Sequence, residues 1–225
     1  METIIELQNV WKVYRMGEVE VPALRGVDLA VRKGESVAIT GPSGCGKSTM
    51  LNMIGCLDMP TTGKILLEGR DITEFKGDEL ARIRGKKIGF IFQTFNLYPT
   101  LTALENIQLP MQIHEFSGKE VGETSRKLLA TVGLSERGSH FPAQLSGGQQ
   151  QRVAVARALS TGPSILLADE PTGNLDTKAG GEVMEVFKRL NSEGLTLVMI
   201  THDPRIAGYA GRIVKMLDGK IVGET

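Results

Sequence analysis

The chain has 225 residues, 41% hydrophobic and 23% charged, which is enough for one large α/β domain or two small ones with a sizeable core. The 26 Lys and Arg side chains are balanced by 26 Asp and Glu side chains, and the lack of a basic excess argues against a nucleic-acid partner. No apolar run approaches the roughly 20 residues of a transmembrane helix, and no signal peptide is recognisable. These features predict a cytoplasmic protein.

In chain order, the first part of the sequence predicts short strands separated by turns. Short apolar runs and apolar/polar alternation mark the strands, and Gly- or Pro-containing turns separate them at 32–35 and 60–63. A helix is predicted over residues 47–57, directly after a glycine-rich loop. The predicted strands are residues 4–7, 12–14, 27–31, 36–40, 64–67 and 88–92.

The middle and last parts of the chain differ in their periodicity. From about residue 100 to residue 158 the apolar spacing is helical. Strands at 164–168 and 195–200 flank a helix at 182–190, and both strands are apolar throughout, as is typical of parallel strands buried on two faces. The sequence therefore predicts one α/β core with a helical insertion.

The glycine-rich loop has the pattern of a phosphate-binding site. Residues 41–48 read GPSGCGKS and fit G-x-x-x-x-G-K-[ST] between a predicted strand and a predicted helix, which disfavours an ordinary glycine-rich turn. Backbone N–H groups and the helix N-terminus would face phosphate oxygens, Lys47 would reach the β- and γ-phosphates, and Ser48 would bind Mg²⁺. The candidate residues are Gly41, Pro42, Ser43, Gly44, Cys45, Gly46, Lys47, Ser48 and Thr49.

Two adjacent carboxylates follow the apolar strand at 164–168. Asp169 is placed to help hold Mg²⁺, and Glu170 is the candidate general base for an attacking water. Such a base typically contributes ~10²–10⁴ in rate. By itself the pair could be solvated residues at a strand end, but the phosphate loop favours the catalytic interpretation.

A second glycine-led helix start occurs at residues 145–149, which read LSGGQ and predict another anion site. This segment resembles the signature motif of the ATP-binding cassette (ABC) proteins, and the other motifs of that family occur in the expected order over essentially the whole chain. The resemblance implies an α/β fold: a RecA-like P-loop NTPase core with an N-terminal antiparallel β subdomain and an inserted α-helical subdomain.

The same resemblance divides the chain and implies roles for single residues. Residues 1–225 would form one ABC ATPase domain, with 1–94 and 159–225 as the catalytic core and 95–158 as the helical subdomain. ATP and Mg²⁺ are the implied cofactors, and Gln93 and His202 would act with Glu170 in catalysis, with Gln93 also near the metal. The implied nucleotide contacts outside the phosphate loop are Tyr14 at the adenine ring, Ser146, Gly147, Gly148, Gln149 and the D-loop residue Asp176.

In ABC proteins two such domains pair head to tail around two ATP molecules, so the resemblance implies an ATP-dependent homodimer. Segments 14–27, 51–58 and 95–107 look like the group that contains the lipoprotein-releasing ATPase LolD and the ATPase domain of the macrolide exporter MacB. Because the chain stops at Thr225, we expect the integral-membrane permease to be a separate polypeptide. The ATPase would then lie on the inner face of the cell membrane, with residues 95–106 as the expected docking surface.

Other functions fit parts of the pattern. An ABC ATPase that regulates cell-wall hydrolases during division is the main alternative to transport, and the LTALEN-containing stretch is the strongest sequence feature against it. Chromosome and repair members need a long coiled coil, and translation members usually carry two cassettes; the sequence has room for neither. A metabolic P-loop kinase is disfavoured by the LSGGQ segment.

Overall fold

The computed structural model describes residues 2–225, without the side chain of Met16, and contains two β-sheets. The strands of the first sheet are β1 (Thr3–Met16), β2 (Val19–Arg32), β4 (Thr62–Leu67) and β5 (Arg70–Asp71). They pair in the order β2-β1-β4-β5, and all the pairings are antiparallel. The prediction of separate strands at 4–7 and 12–14 is wrong, because β1 runs through both.

An irregularity in β1 explains that error. Its register against β2 shifts between Leu7 and Val10, and Asn9 in this interval has a left-handed φ of 47°. A shift of this kind interrupts the two-residue period of a strand, so the sequence shows two short alternating runs where the backbone is continuous.

The second sheet forms the centre of the molecule. Its strands are β3 (Ser36–Thr40), β6 (Ile88–Ile91), β7 (Ile165–Asp169), β8 (Thr196–Ile200), β9 (Arg212–Leu217) and β10 (Lys220–Glu224). The order is β10-β9-β3-β8-β7-β6, and every pairing is parallel except that of β10 with β9. β3, β7 and β8 are almost wholly buried, as their apolar sequences predict.

The helices are α1 (Lys47–Ile54), α2 (Gly77–Lys87), α3 (Ala103–Ile113), α4 (Gly118–Thr131), α5 (Gly147–Leu159), α6 (Thr177–Ser192) and α7 (Pro204–Ala207). α1 ends before the predicted residue 57, because Cys56 adopts a left-handed φ of 54°. α6 begins five residues before its predicted start at 182, since Asp176 caps it and its first turn carries no large apolar residue. α2 was not predicted, because it buries no residue and its sequence therefore lacks the apolar stripe that indicates an amphipathic helix.

Three of these helices, α3 to α5, lie between β6 and β7 in the chain. The observed architecture therefore matches the expected one: a P-loop-type α/β core, an antiparallel β-sheet formed mainly by the N-terminal strands, and a helical insertion. Within residues 2–225, no helix is both long and apolar enough to cross a membrane.

Asn106 fixes the entry to the helical insertion. Its side chain is fully buried in α3, and its Oδ1 accepts the N–H of Tyr98 at 2.8 Å. Its Nδ2 donates to the carbonyl oxygens of Tyr98, Leu101 and Thr102 at 3.2, 3.0 and 2.9 Å. One buried amide thus satisfies the backbone of the loop that precedes the helix.

We expect Asn106→Ala to destabilise the protein by about 1–3 kcal/mol, because it leaves buried backbone groups without partners. In a chain of this size each kcal/mol lowers Tm by roughly 2–4 °C, which thermal unfolding would measure. Gln112→Ala, at an exposed position of the same helix, is the control and should leave Tm nearly unchanged. Equal Tm values for the two variants would contradict this role for Asn106.

Candidate functional site

The predicted catalytic segments meet at one edge of the six-stranded sheet. β3, β6, β7 and β8 are parallel, so their carboxyl ends lie side by side. The glycine-rich loop follows β3, Gln93 follows β6, Asp169 and Glu170 end and follow β7, and His202 follows β8. Residues separated by more than 150 positions in the sequence therefore lie together at this edge of the sheet.

The glycine-rich loop encloses the ammonium group of Lys47. This side chain is only 9% exposed, and its Nζ donates to the carbonyl oxygens of Gly41 and Pro42, both at 2.9 Å. Gly46, at the N-cap of α1, has a φ of 101°, and a Cβ there would lie 2.4 Å from the carbonyl oxygen of Ala23. A buried cation held by neutral carbonyl groups favours an anion, which fits the phosphate chain of a nucleotide.

The other loop residues differ in exposure. Ser43, Gly44 and Ser48 are exposed, while Cys45 is buried, with its Sγ 3.9 Å from Lys47 Nζ. Thr49, half-buried on the first turn of α1, lies close enough to the Tyr14 hydroxyl to affect its pKa.

The Ser48 hydroxyl, at the end of the glycine-rich loop, and the Asp169 carboxylate lie next to each other and could both bind a metal ion. Burial, and next the charge of Glu170, raise the pKa of Asp169, whereas the Ser48 hydroxyl and the Lys47 charge lower it. A buried carboxylate next to a second carboxylate is stabilised by a cation, and hydroxyl and carboxylate oxygens are the ligands that Mg²⁺ prefers. The residues present therefore fit Mg²⁺.

Glu170 and His202 contact each other directly. His202 Nδ1 lies 2.8 Å from Glu170 Oε1, and since a carboxylate only accepts, Nδ1 carries the hydrogen of this bond. The histidine side chain is 74% exposed and that of Glu170 only 19%. Glu170 has a φ of 47°, and strained backbone at a non-glycine residue is a common feature of functional sites.

Gln93 is turned toward the segment that follows β7. Its Nε2 donates to Asn174 Oδ1 at 3.4 Å, and Asn174 Nδ2 donates back to the Gln93 carbonyl oxygen at 3.0 Å. A Cβ on Gly173 would lie 2.9 Å from Gln93 Nε2. The structure thus joins Gln93 to the segment that follows Glu170, and its predicted contact with the metal remains a prediction.

Tyr14 is anchored by two residues that the sequence analysis did not select as site residues. Its hydroxyl donates to Asp58 Oδ2 at 2.9 Å, and Lys12 Nζ lies 4.9 Å from the ring centroid. Lys12 also donates to Asp58 Oδ1 at 2.6 Å. Burial, and then the bond to Asp58, raise the pKa of Tyr14, which stays protonated. Tyr14 as a whole residue is 37% exposed, and Lys12 lies over one face of its ring.

The LSGGQ segment forms the capped start of α5. The N–H of Gln149 donates to Ser146 Oγ at 3.3 Å, and the N–H of Ser146 donates to Gln149 Oε1 at 3.0 Å. A Cβ on Gly148 would lie 2.8 Å from the Cβ of Ala179 in α6, so this glycine also permits close helix packing. Asp176 caps α6 by accepting the N–H of Ala179 at 2.9 Å.

Gln151 was not predicted as a site residue, although it connects parts of the site. It is fully buried in α5, and its Nε2 donates to the carbonyl oxygen of Pro171 at 2.6 Å and to that of Phe92 at 3.4 Å. The sequence signal is a glutamine on the apolar face of a helix, and such a residue needs buried polar partners.

Comparison with known proteins agrees with this geometry. A family model described as ABC transporter matches residues 24–173. An uncharacterized ABC transporter ATP-binding protein of Thermotoga maritima is 52% identical over 223 residues, which are 99% of this chain and 95% of that protein. The macrolide export ATP-binding/permease protein MacB of Syntrophobacter fumaroxidans is 48% identical over 228 residues, 99% of this chain but 32% of MacB.

A solved structure shows the same fold with products bound. It is a dimeric structure of the ATP-binding cassette MJ0796 in a post-hydrolysis state with ADP and Pi, 47% identical to this chain with a TM-score of 0.90. The match covers 99% of this chain and 98% of that one. A curated sequence of MJ0796, from Methanocaldococcus jannaschii, is 51% identical over 227 residues, which are 98% of this chain and 96% of that protein. The predicted ATPase activity with ATP and Mg²⁺ is confirmed, and the chain belongs to the ATP-binding cassette (ABC) transporter family as one of its ATP-hydrolysing domains.

Proposed function

We propose that the chain works as an ATP-sandwich homodimer that drives a separate membrane permease of the lipoprotein-release or macrolide-export type. The main support for this proposal is that the Glu170–His202 pair lies at the same sheet edge as the glycine-rich loop with Lys47, which we also call the lysine loop. This arrangement suits a cycle in which ATP closes the dimer and hydrolysis opens it.

In the proposed cycle each site residue has a defined task. Lys47 and the loop N–H groups bind the phosphate chain, and Tyr14 stacks on adenine with the ring face that Lys12 leaves accessible. Glu170 accepts the proton of the attacking water, and His202 orients that carboxylate through Nδ1 and contacts the γ-phosphate. Mg²⁺, held by Ser48 and Asp169 with Gln93 close to it, would neutralise phosphate charge.

A second copy of the chain is the proposed partner at the nucleotide. The described residues contain one lysine loop, before α1, and one LSGGQ segment, whose Ser146 caps the N-terminus of α5. Head-to-tail pairing would bring Ser146, Gly147 and Gly148 of one copy, with the adjoining Gln149 and Asp176, to the nucleotide on the other. ATP would favour the dimer because its γ-phosphate contacts both copies only there. The MJ0796 structures, described as dimeric, support this pairing.

The permease would dock in a groove of about 440 Å³ between the core and the helical insertion, which we call the docking groove. Its rim carries the exposed apolar side chains Leu57, Tyr98 and Ile113, with exposed fractions of 45, 54 and 67%. Among the described lining residues two are arginines, Arg84 and Arg157, and none is acidic. An apolar permease segment that carries a carboxylate fits this combination.

The docking groove includes only part of the stretch 95–106 that the sequence predicts as the docking surface. Asn96 and Tyr98 line the docking groove, whereas Asn106 is buried inside the protein. We infer that residues 95–158 act as the helical subdomain against a catalytic core of 1–94 and 159–225. Docking there would hold the ATPase at the inner face of the cell membrane.

Transport of the LolD/MacB type is supported by the likeness to MacB proteins, which are described as macrolide export proteins with a permease part. An ABC ATPase that regulates cell-wall hydrolases remains the second candidate, because it would use the same ATPase and a membrane partner. The identity of the membrane protein that co-purifies with the chain separates the two.

Glu170→Gln should still bind ATP, because the lysine loop is unchanged, but turnover should fall about 10²–10⁴-fold with the loss of the base. Phosphate release measures the rate, and size-exclusion chromatography with ATP should show a trapped dimer. Lys47→Ala is the control, which should lose both ATP affinity and the dimer. Hydrolysis at the wild-type rate by Glu170→Gln would refute the assignment of the base.

Ser146→Arg, made in the Glu170→Gln background, should bind ATP as a monomer, because the larger cationic side chain blocks the approach of the second copy. Ser117→Arg is a matched control, since the Ser117 Oγ likewise accepts the N–H of Glu120 and caps α4. Each variant loses one helix cap, roughly 0.5–2 kcal/mol. Chromatography in ATP that shows a dimer for both variants would exclude the shared site.

Ile113→Asp should abolish co-purification of the permease from detergent-solubilised membranes, because it places a charge in the apolar rim of the docking groove. Val222→Asp, at a similarly exposed apolar position in β10, should leave co-purification intact. Mass spectrometry of the retained membrane protein identifies the permease. Equal recovery of that protein with both variants would show that the docking groove is not its binding site.

A further inference from the structure

Arg157, in the last turn of α5, is a cation that none of the predicted motifs uses. Its Nη1 donates to the carbonyl oxygen of Asn96 at 2.5 Å, and its Nη2 donates to that of Phe95 at 3.1 Å. Arg157 is half-buried, and partial burial lowers the pKa of its guanidinium from the ordinary value. Removing a guanidinium from water costs free energy, so its hydrogen bonds to these carbonyl groups hold it firmly in place.

The two carbonyl groups belong to the irregular segment that follows Gln93. Asn96 has a left-handed φ of 50°, a conformation that asparagine tolerates better than most residues. Thr94 Oγ1 donates to Asn96 Oδ1 at 3.1 Å within the same segment. Two consecutive carbonyl oxygens can therefore reach one planar guanidinium, which presents its donors as a fork.

α5 also holds the other side of this segment. Gln151 donates to the carbonyl oxygen of Phe92, the residue before Gln93. A Cβ on Gly147, at the start of α5, would lie 3.5 Å from Cζ of Phe95, so the phenyl ring packs beside the LSGGQ segment. The backbone on both sides of Gln93 is thus attached to one helix, whose first turn is capped by Ser146.

We propose that Arg157 is a positioning residue for Gln93: its bonds to Phe95 and Asn96 set where the Gln93 amide lies relative to Asp169. The inference rests on the proposed role of Gln93 in hydrolysis. A displacement of α5, whose N-terminus would meet the second copy's nucleotide, moves Gln93 through these bonds. Arg157 also lines the docking groove, so a permease segment bound there contacts the same guanidinium.

The test compares steady-state ATP hydrolysis by the full chain and its variants. Arg157→Lys keeps the charge but cannot donate to both carbonyl groups in the same geometry, and Arg157→Gln removes the half-buried charge while keeping one amide donor. Arg189→Lys is the matched control, because the Arg189 guanidinium also donates to a backbone carbonyl, that of Thr131, far from Gln93 in the chain. Each substitution is also made together with Gln93→Ala.

We expect whichever Arg157 variant folds, as judged by thermal unfolding, to lower kcat about 10- to 100-fold, with KM for ATP within about twofold of wild type. In the Gln93→Ala background the same substitution should cause no further loss, whereas Arg189→Lys should be silent in both. A wild-type kcat for the Arg157 variants, or losses that multiply with Gln93→Ala, would overturn the proposal. A wild-type chain that binds but never hydrolyses ATP would instead refute the proposed function.

Discussion

The backbone of Ile200 in the central strand β8 holds the two halves of the site together. Ile200 pairs with Ile39 of β3 on one side and with Asp169 of β7 on the other. Its carbonyl oxygen accepts the N–H of Glu170 at 3.1 Å, and the next residue, Thr201, donates to the Ile39 carbonyl oxygen at 3.2 Å. The spacing between the phosphate loop and the carboxylates is therefore set by sheet hydrogen bonds, which are short and rigid.

Two cations, the buried Lys47 and the half-buried Arg157, lie beside this frame, and both are held by backbone carbonyl oxygens. Lys47 is enclosed by its own loop, whereas Arg157 binds the segment that follows Gln93. Carbonyl groups stabilise a cation without neutralising it, so Lys47 keeps the charge that attracts phosphate. At Arg157 the same chemistry fixes a loop, because the donors of a guanidinium lie in one plane.

The sequence predicts the fold and the location of the site well, because glycine-rich turns and wholly apolar strands have local signatures. It could not predict α2, which buries no side chain, or the continuity of β1 through Asn9. Contacts such as Gln93 with Asn174, or Tyr14 with Asp58, depend on the packing of distant segments, and no spacing rule encodes them. Gln151 and Arg157 look like ordinary members of an amphipathic helix, so only coordinates show which carbonyl groups they bind.

The near contact between Gly148 and Ala179 limits how variants of the LSGGQ segment can be interpreted. Any side chain at position 148 pushes α5 away from α6, so even alanine there perturbs the monomer before a nucleotide or a second copy is present. If a Gly148 variant loses activity, the loss can therefore come from disturbed helix packing as well as from weaker nucleotide binding. Ser146 stands at the helix start and is not part of this contact, and the cost of losing its cap can be measured separately at another capping serine such as Ser117.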